Sequence, residues 1–477
     1  MTSLAALLRD HPFRSEALVH APDGSFTADE IRARVDALAH EFTRAGLAAG
    51  RAVAVSRPND SSFLVAMFAI WACGGVFVPL NVRAPRAEQD SALEAVGAAW
   101  LFDEHGTITS RDRARTYASD VAFVLWTSGT TGTPKPIVHT HEAYLELLDR
   151  VLAPLRGGRD SGPSKPGTEG TAPTPNLIPV SLALNAGIYN ALFGLRAGAA
   201  VVIMDRFATA DFARLVARHA IRSTVLPPAA IAMLNSDASV TGLVPLRYVR
   251  SITAPLSPVQ ARRFHEKFGI VVLNGYGQAE IGEVIGWTAA DAREHPDKIG
   301  AVGRAHPGVD MRLGDVDEMG VGRLWVRPPR MAAADASGHD LGDRIDADGF
   351  VDTGDLARID DDGFVWIEGR TTDLINRGGH KVFPDHVEEV LRLIEGVHDA
   401  AVIAAPDERL GEVPVAFVVA DPSVSDDELR DECRRELVPY KVPVAFVRVD
   451  QLPRNEVGKL LRRELVVPTI PRRGSSQ

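Results

Sequence analysis

Apolar and polar positions along this chain alternate between two periods. Between residues 30 and 48, Ile31, Val35, Leu38, Ala39 and Phe42 recur at helical spacing and share one face. The apolar run Ala52–Val55 then predicts a buried strand. The exchange continues, with strands predicted at 200–204, 223–226 and 271–273 and helices at 212–219 and 258–268. Ser257 suits an N-cap and Pro258 the first helical position, where its missing N–H costs nothing. Strands and helices in alternation predict a layered α/β domain with largely parallel sheets.

The apolar stretch 63–80 approaches the length of a membrane span. Gly74, Gly75 and Pro79 interrupt it, and Val76-Phe77-Val78 has strand character. A buried helix, a tight turn and a buried strand are therefore expected. Residues 156–176 are nearly devoid of apolar side chains and predict a surface excursion. From about residue 320 the pattern turns β-rich, at 324–326 and 364–367. From about 371 a smaller α/β unit is expected, with a helix at 385–393 and strands near 401–404 and 415–419. Residues at the extreme C-terminus have the composition of a disordered tail.

A length of 477 residues exceeds what one hydrophobic core usually organises. The formal net charge of −11 argues against a nucleic-acid binder, which would carry a basic stripe. It leaves room for a local positive field around a nucleotide. The two cysteines, Cys73 and Cys433, have no metal or redox spacing. Both are expected to be inert, with Cys73 a buried small hydrophobe. A reducing, cytoplasmic setting fits, and no signal peptide is visible at the start.

The chemistry concentrates in a few stretches. Thr127, Ser128, Gly129, Thr130, Thr131, Gly132 and Lys135 follow the apolar segment 121–125. Glycines let the backbone approach an anion, hydroxyls and amides donate to it, and the lysine adds charge. No Gly-Lys-Ser/Thr closes the loop, so it is not a P-loop. A second stretch, NGYGQAE at 274–280, offers an aromatic ring for a purine and an acid for a divalent cation. VDTGD at 351–355 and IEGRTTD at 367–373 bring a carboxylate and an arginine suited to ribose hydroxyls and a phosphate. LPRNEVGKLLR at 452–462 sets Lys459 after a turn glycine. Taken singly, each has an ordinary structural explanation as a turn, a packing pair or a solvated lysine.

In this order, the set resembles the adenylate-forming superfamily of acyl-CoA synthetases, stand-alone adenylation domains and firefly-type luciferases. The likeness runs from about residue 12 to about 465. It implies a large N-terminal domain, 1–370, of layered α/β sheets with a β-rich subdomain. A small mobile α+β C-terminal domain, 371–477, would rotate between two half-reactions. In the first, a carboxylate attacks the α-phosphate of ATP with Mg2+ bound, giving an acyl-adenylate and pyrophosphate. In the second a thiol, most often coenzyme A, displaces AMP.

The resemblance also implies roles. The loop from Thr127 to Lys135 would hold the β- and γ-phosphates. Tyr276 would stack on adenine, with Thr253, Ala254 and Pro255 on its other side and Asn274 and Gly277 nearby. Glu280 would ligate Mg2+. Asp355 would grip the ribose beside Arg370, and Lys459 would bridge the attacking carboxylate and the α-phosphate. Leu184, Asn185, Gly187, Ala254, Gly275 and Ala279 would line the substrate pocket, and Gly378 and Gly379 would flank a pantetheine channel.

Four positions depart from the family's pattern. Ala279 stands where a threonine is usual, Leu184 where an aromatic or histidine gates the pocket, Thr372 where a lysine or aspartate marks the hinge, and Ile252-Thr253 where two glycines are usual. These changes leave the ATP chemistry whole but open the acceptor. Transfer of an aryl or fatty acid to coenzyme A is the first expectation. The alternative is an adenylating enzyme of secondary metabolism that loads a carrier protein, or a diazotase that activates nitrite toward an aryl amine. A non-catalytic nucleotide-binding module is the third reading, and Lys459 argues against it. No nucleic-acid or membrane partner is expected.

Overall fold

The computed structural model describes residues 3–13, 15–111, 114–127, 135–157, 173–252, 254, 256–332, 334–335, 344–454 and 460–468. Most of residues 156–176 and the tail therefore lie outside the described residues, as do the expectations placed on them.

Two large sheets organise the first part of the chain. In one, strands Val271–Gln278, Tyr248–Ser251, Ser223–Val225, Asn176–Ile178, Val201–Ile203 and Ala17–Ala21 lie side by side and parallel. Antiparallel strands Gly282–Gly286 and Gly24–Thr27 flank that set. In the other, Val121–Thr127, Val76–Pro79, Ala52–Val55 and Trp100–Phe102 are parallel, with Lys135–Thr140 antiparallel at one side. The α/β alternation of the sequence is thus realised as two mainly parallel sheets.

One apolar core joins both. Helix Ser61–Ala72 carries it and is buried almost all round, with Phe63, Met67 and Ile70 at 1%, 0% and 0% exposure. Each such side chain contributes about 1.5–3 kcal/mol by leaving water. Asp60 caps the helix by accepting from the Ser62 amide. Gly74 turns the chain at φ +68°, and Val76–Pro79 follows as a strand. Among the described residues no helix is long and apolar enough to cross a membrane. Cys73 corrects an expectation. It is half-buried at the C-cap of this helix, with Sγ 3.4 Å from the Ala39 carbonyl.

Helix Ala28–Arg44 begins at a capping box of Thr27 and Glu30 and buries Ile31, Val35 and Phe42. Helix Pro258–Phe268 starts at Ser257 with Pro258 at its first position, as its sequence predicts. A four-stranded antiparallel sheet follows, in the order Asp310–Gly314, Gly322–Arg327, Val351–Ile359, Val365–Arg370. The last unit has its own sheet, with strands Ile375–Arg377, Gly411–Ala420 and Val397–Asp407, and helix Pro384–Leu393 against it. A separate core of Ile375, Val387, Leu391, Val402, Ala416 and Phe446 holds it together. Cys433 is buried in that core, and burial pushes its thiol up to about 12.

Candidate active site

The NGYGQAE stretch does not follow a strand, as its sequence suggested, but continues one. Asn274, Gly275, Tyr276 and Gly277 are residues of Val271–Gln278, paired with Gly282–Gly286 as a hairpin. The hairpin demands glycine at 277, because a Cβ there would lie 2.1 Å from the Gly282 carbonyl oxygen. VDTGD likewise belongs to a strand, Val351–Ile359, and Gly354 bends it at φ +72°. Thr353 Oγ donates to the Leu324 carbonyl at 2.7 Å and accepts from the Asp355 amide at 3.1 Å, which fixes the carboxylate.

Asp355 and Arg370 are cross-strand partners, with Nε 3.2 Å from one carboxylate oxygen. The other oxygen accepts from the Tyr276 hydroxyl and, at 3.2 Å, from Gln278 Nε2. That amide also donates to the Thr353 carbonyl at 2.7 Å. Asp355 is 4% exposed. Desolvation and the neighbouring carboxylate hold the Tyr276 phenol protonated, as a donor. Two distant motifs thus meet at one buried carboxylate.

Glu280 lies one short step along. Arg344 Nη1 is 3.2 Å from its carboxylate, while Arg344 Nη2 donates to Gln278 Oε1 at 2.7 Å and to the Asp352 carbonyl at 2.9 Å. Arg344 therefore ties the acid, the glutamine and the aspartate strand together. Neither Arg344 nor Gln278 is singled out by sequence reasoning. Gln278 sits inside a stretch already of interest, but Arg344 is 64 residues from Glu280 and no local signal marks it.

The phosphate-loop expectation falls mainly outside the described residues. Thr127 ends one strand and Lys135 begins the next, and the two are paired across the ladder. Residues Ser128, Gly129, Thr130, Thr131 and Gly132 are not described, nor are Thr253, Pro255 and Lys459. Ala254 is half-buried.

Leu184 is the N-cap of helix Asn185–Ala197, and Asn185 Oδ1 accepts from the Tyr144 hydroxyl at 3.3 Å. Gly187 sits 2.1 Å, measured from an added Cβ, from the Ser181 carbonyl oxygen, so only glycine fits the helix start there. Gly378 and Gly379, at φ +58° and +89°, make the two-residue turn between strands Ile375–Arg377 and His380–Val382. Two successive positive φ values are what such a hairpin needs, so this glycine pair has a structural reason of its own.

Mainly parallel sheets joined by helices, a buried carboxylate–arginine–tyrosine group and an acid beside it are the elements of an α/β enzyme. Comparison with known proteins is in accord. The AMP-binding enzyme family matches residues 5–334, and the AMP-binding enzyme C-terminal domain matches residues 386–459. The chain belongs to the AMP-binding enzyme family. It is 28% identical over 509 residues to the long-chain-fatty-acid–CoA ligase FadD13 of Mycobacterium tuberculosis, covering 94% of this chain and 95% of that protein. It is 31% identical over 369 residues to 4-coumarate–CoA ligase 5 of Oryza sativa subsp. japonica, covering 73% and 66%. The amide bond synthetase McbA from Marinactinospora thermotolerans has a similar structure, with TM-score 0.82 and 26% identity over 96% of this chain and 97% of that one.

Proposed function

We propose that the protein activates a carboxylic acid with ATP and passes the acyl group to coenzyme A. The observation that carries this reading is the joining of Tyr276, Gln278, Asp355 and Arg370 into one group, with Glu280 and Arg344 beside it. Relatives named as coenzyme A ligases for a fatty acid and for 4-coumarate support the acceptor. They do not favour the carrier-protein or diazotase alternatives.

Each residue then has a task. Asp355 accepts from the ribose hydroxyls, and Arg370 holds it in place from the next strand. Tyr276 presents its ring to adenine while its hydroxyl is anchored. The loop from Thr127 to Lys135 receives the β- and γ-phosphates. A substrate carboxylate oxygen attacks the α-phosphorus, the bond to the bridging oxygen of pyrophosphate breaks, and pyrophosphate leaves. Lys459 would hold the two anions together during that step, which needs positioning and positive charge rather than a protein nucleophile. The thiol of coenzyme A then loses its proton and attacks the acyl carbon, and AMP leaves with the carbon–oxygen bond pair.

Glu280 supplies a single carboxylate, which fits Mg2+ taking most of its ligands from phosphate and water. Glu280, which here pairs with Arg344, would hold the metal, which would supply positive charge to the phosphates. The group from residue 371 onward, with its own core, would turn about Thr371–Thr372 between the steps. Its present seat involves a contact of His386 Nε2 with a Glu368 carboxylate oxygen at 2.7 Å and the packing of Phe383 on Val321 and Leu356. A cytoplasmic setting, where ATP and coenzyme A are both available, suits this chemistry.

The test is pyrophosphate release from Mg·ATP with a panel of aryl and fatty acids, each alone, with coenzyme A, and with nitrite plus an aryl amine. A thioester mass formed with AMP is the expected product. Release that ignores coenzyme A and responds to nitrite, an amine or a carrier protein would overturn the acceptor. No release with any acid would overturn the activation itself.

A further inference from the structure

A second buried polar group lies beside the substrate-pocket residues and takes no part in the nucleotide contacts above. Glu283, 7% exposed, receives an ion pair from Arg250, a contact from His306 Nε2 at 3.1 Å and the Tyr189 hydroxyl at 3.3 Å. Arg250, His306 and Tyr189 are themselves 9%, 4% and 6% exposed. They come from three separate places: the strand Tyr248–Ser251, the segment after Arg304–Ala305, and the helix Asn185–Ala197.

The backbone makes room for this group. Gly275 and Gly286 face each other across the hairpin. A Cβ on Gly275 would lie 3.1 Å from Ile252 Cγ2 and 3.2 Å from Glu283 Oε1, and one on Gly286 would lie 2.8 Å from the same oxygen. The carboxylate thus occupies a notch that two bare glycines leave open. That notch adjoins Gly275, Ile252 and the Tyr189 hydroxyl, in stretches expected to surround the acyl body.

Burial raises the Glu283 carboxyl, but the Arg250 guanidinium and His306 outweigh it and hold it down at about 2. It is a carboxylate with its partners in place. The Arg250 guanidinium is held by Glu283 and by the Tyr189 hydroxyl, yet one of its nitrogens is unmet. Its Nη1 is buried without a hydrogen-bond partner. An unmet guanidinium donor away from water is costly, and an acceptor oxygen relieves that cost.

We propose that Arg250 reads the tail of the acid, receiving an oxygen acceptor carried at the end opposite the activated carboxylate. The inference rests on the acid-activating reading above and narrows its substrate class. The acid is short or aryl, with a hydroxyl, carbonyl or second carboxylate on its far side. A long alkyl chain finds a wall of buried charge there and gains nothing by reaching it. Glu283, His306 and Tyr189 act as positioning residues that hold the guanidinium in one orientation.

The test is kcat/KM for pyrophosphate release with matched acids. One series is benzoate, 4-hydroxybenzoate and isophthalate. The other is hexanoate, 6-hydroxyhexanoate, adipate and dodecanoate. The oxygen-bearing member should exceed its plain partner by about tenfold or more. Hydroxyl and carboxylate members separate a neutral acceptor from an anionic one. In Arg250→Met the preference should collapse toward one. That variant orphans Glu283, so Arg250→Met/Glu283→Leu, which removes both charges, is measured beside it, with Arg250→Lys as the partial rescue. Wild-type release that is equal for both partners, or best with dodecanoate, would overturn the inference while leaving acid activation standing. So would a preference that survives in a folded Arg250→Met/Glu283→Leu protein. Absence of release with every acid would instead sink the parent reading.

Discussion

Tyr276→Phe separates the two jobs assigned to this tyrosine. The substitution keeps the ring and deletes the hydroxyl that donates to Asp355. Asp355 is buried but would not be orphaned, because Arg370 Nε at 3.2 Å and Gln278 Nε2 at 3.2 Å remain. The loss is therefore one hydrogen bond to a charged acceptor, about 1.5–3 kcal/mol at most, and not the larger penalty of a stranded carboxylate. For a unit of roughly 370 residues that corresponds to a fall of about 2–4 °C in the melting midpoint. Stacking on adenine needs only the ring, so KM for ATP should stay within about threefold of wild type, since no contact with the base is removed. Tyr276→Ala deletes the ring as well, and KM for ATP should then rise by about tenfold or more, in line with the loss of a base–aromatic contact. Scanning fluorimetry and pyrophosphate-release kinetics on the three proteins decide the matter. An unchanged midpoint in Tyr276→Phe would mean that the hydroxyl bond contributes nothing. Equal damage to ATP binding in both variants would refute the division of labour.

Glu280→Gln should cut pyrophosphate release by about 100-fold and raise the Mg2+ concentration needed for half-maximal rate, and EDTA should abolish release in wild type. Lys459→Ala should remove the first half-reaction while a preformed acyl-adenylate still reacts with coenzyme A, checked by thioester mass; equal loss of both steps would reject its role. Burial alone presses the His139 imidazole down to about 4, against a usual 6.5. Its folded pKa is depressed, so the native state favours the neutral ring; stability is complete above about 6.5 and falls as pH drops toward 4, by an order of 3 kcal/mol at most. The melting midpoint of wild type should fall from pH 7.5 to pH 5 more steeply than that of His139→Leu. Gly379→Val forces a β-branched residue to φ +89°. It should lower the stability of the small unit's hairpin, read as earlier protease cleavage near residue 379.

Much of the fold was legible because it is local. The Ser257-Pro258 helix start, the break at Gly74 and the strand periodicity at 52–55 are each set by a few neighbouring residues, and each appears where its pattern placed it. Glycine was less transparent. Gly378 and Gly379 are expected at a channel, Gly275 at the pocket and Gly277 beside adenine, yet the turn geometry and the close approach of the Gly282 carbonyl already require glycine at several of these positions. Strand limits also slipped: a Gly-Tyr-Gly sequence looks like a turn, and only hairpin pairing shows that it continues a strand.

Arg344, Arg250 and His306 had no signal at all. Nothing in the vicinity of any of them differs from an ordinary charged or polar residue of a soluble protein. Their partners lie 64, 33 and 23 residues away along the chain, and the pairings exist only because hairpin register and sheet order bring those positions together. The sequence by itself determined the alternation of elements, the order of the nucleotide motifs and hence the family, since these depend on short-range periodicity and on residue types in a row. Tertiary structure decided which carboxylate faces which arginine. That choice sets the environment of Asp355 and Glu283, because burial and charge pairing act through distance in space and are blind to distance along the chain.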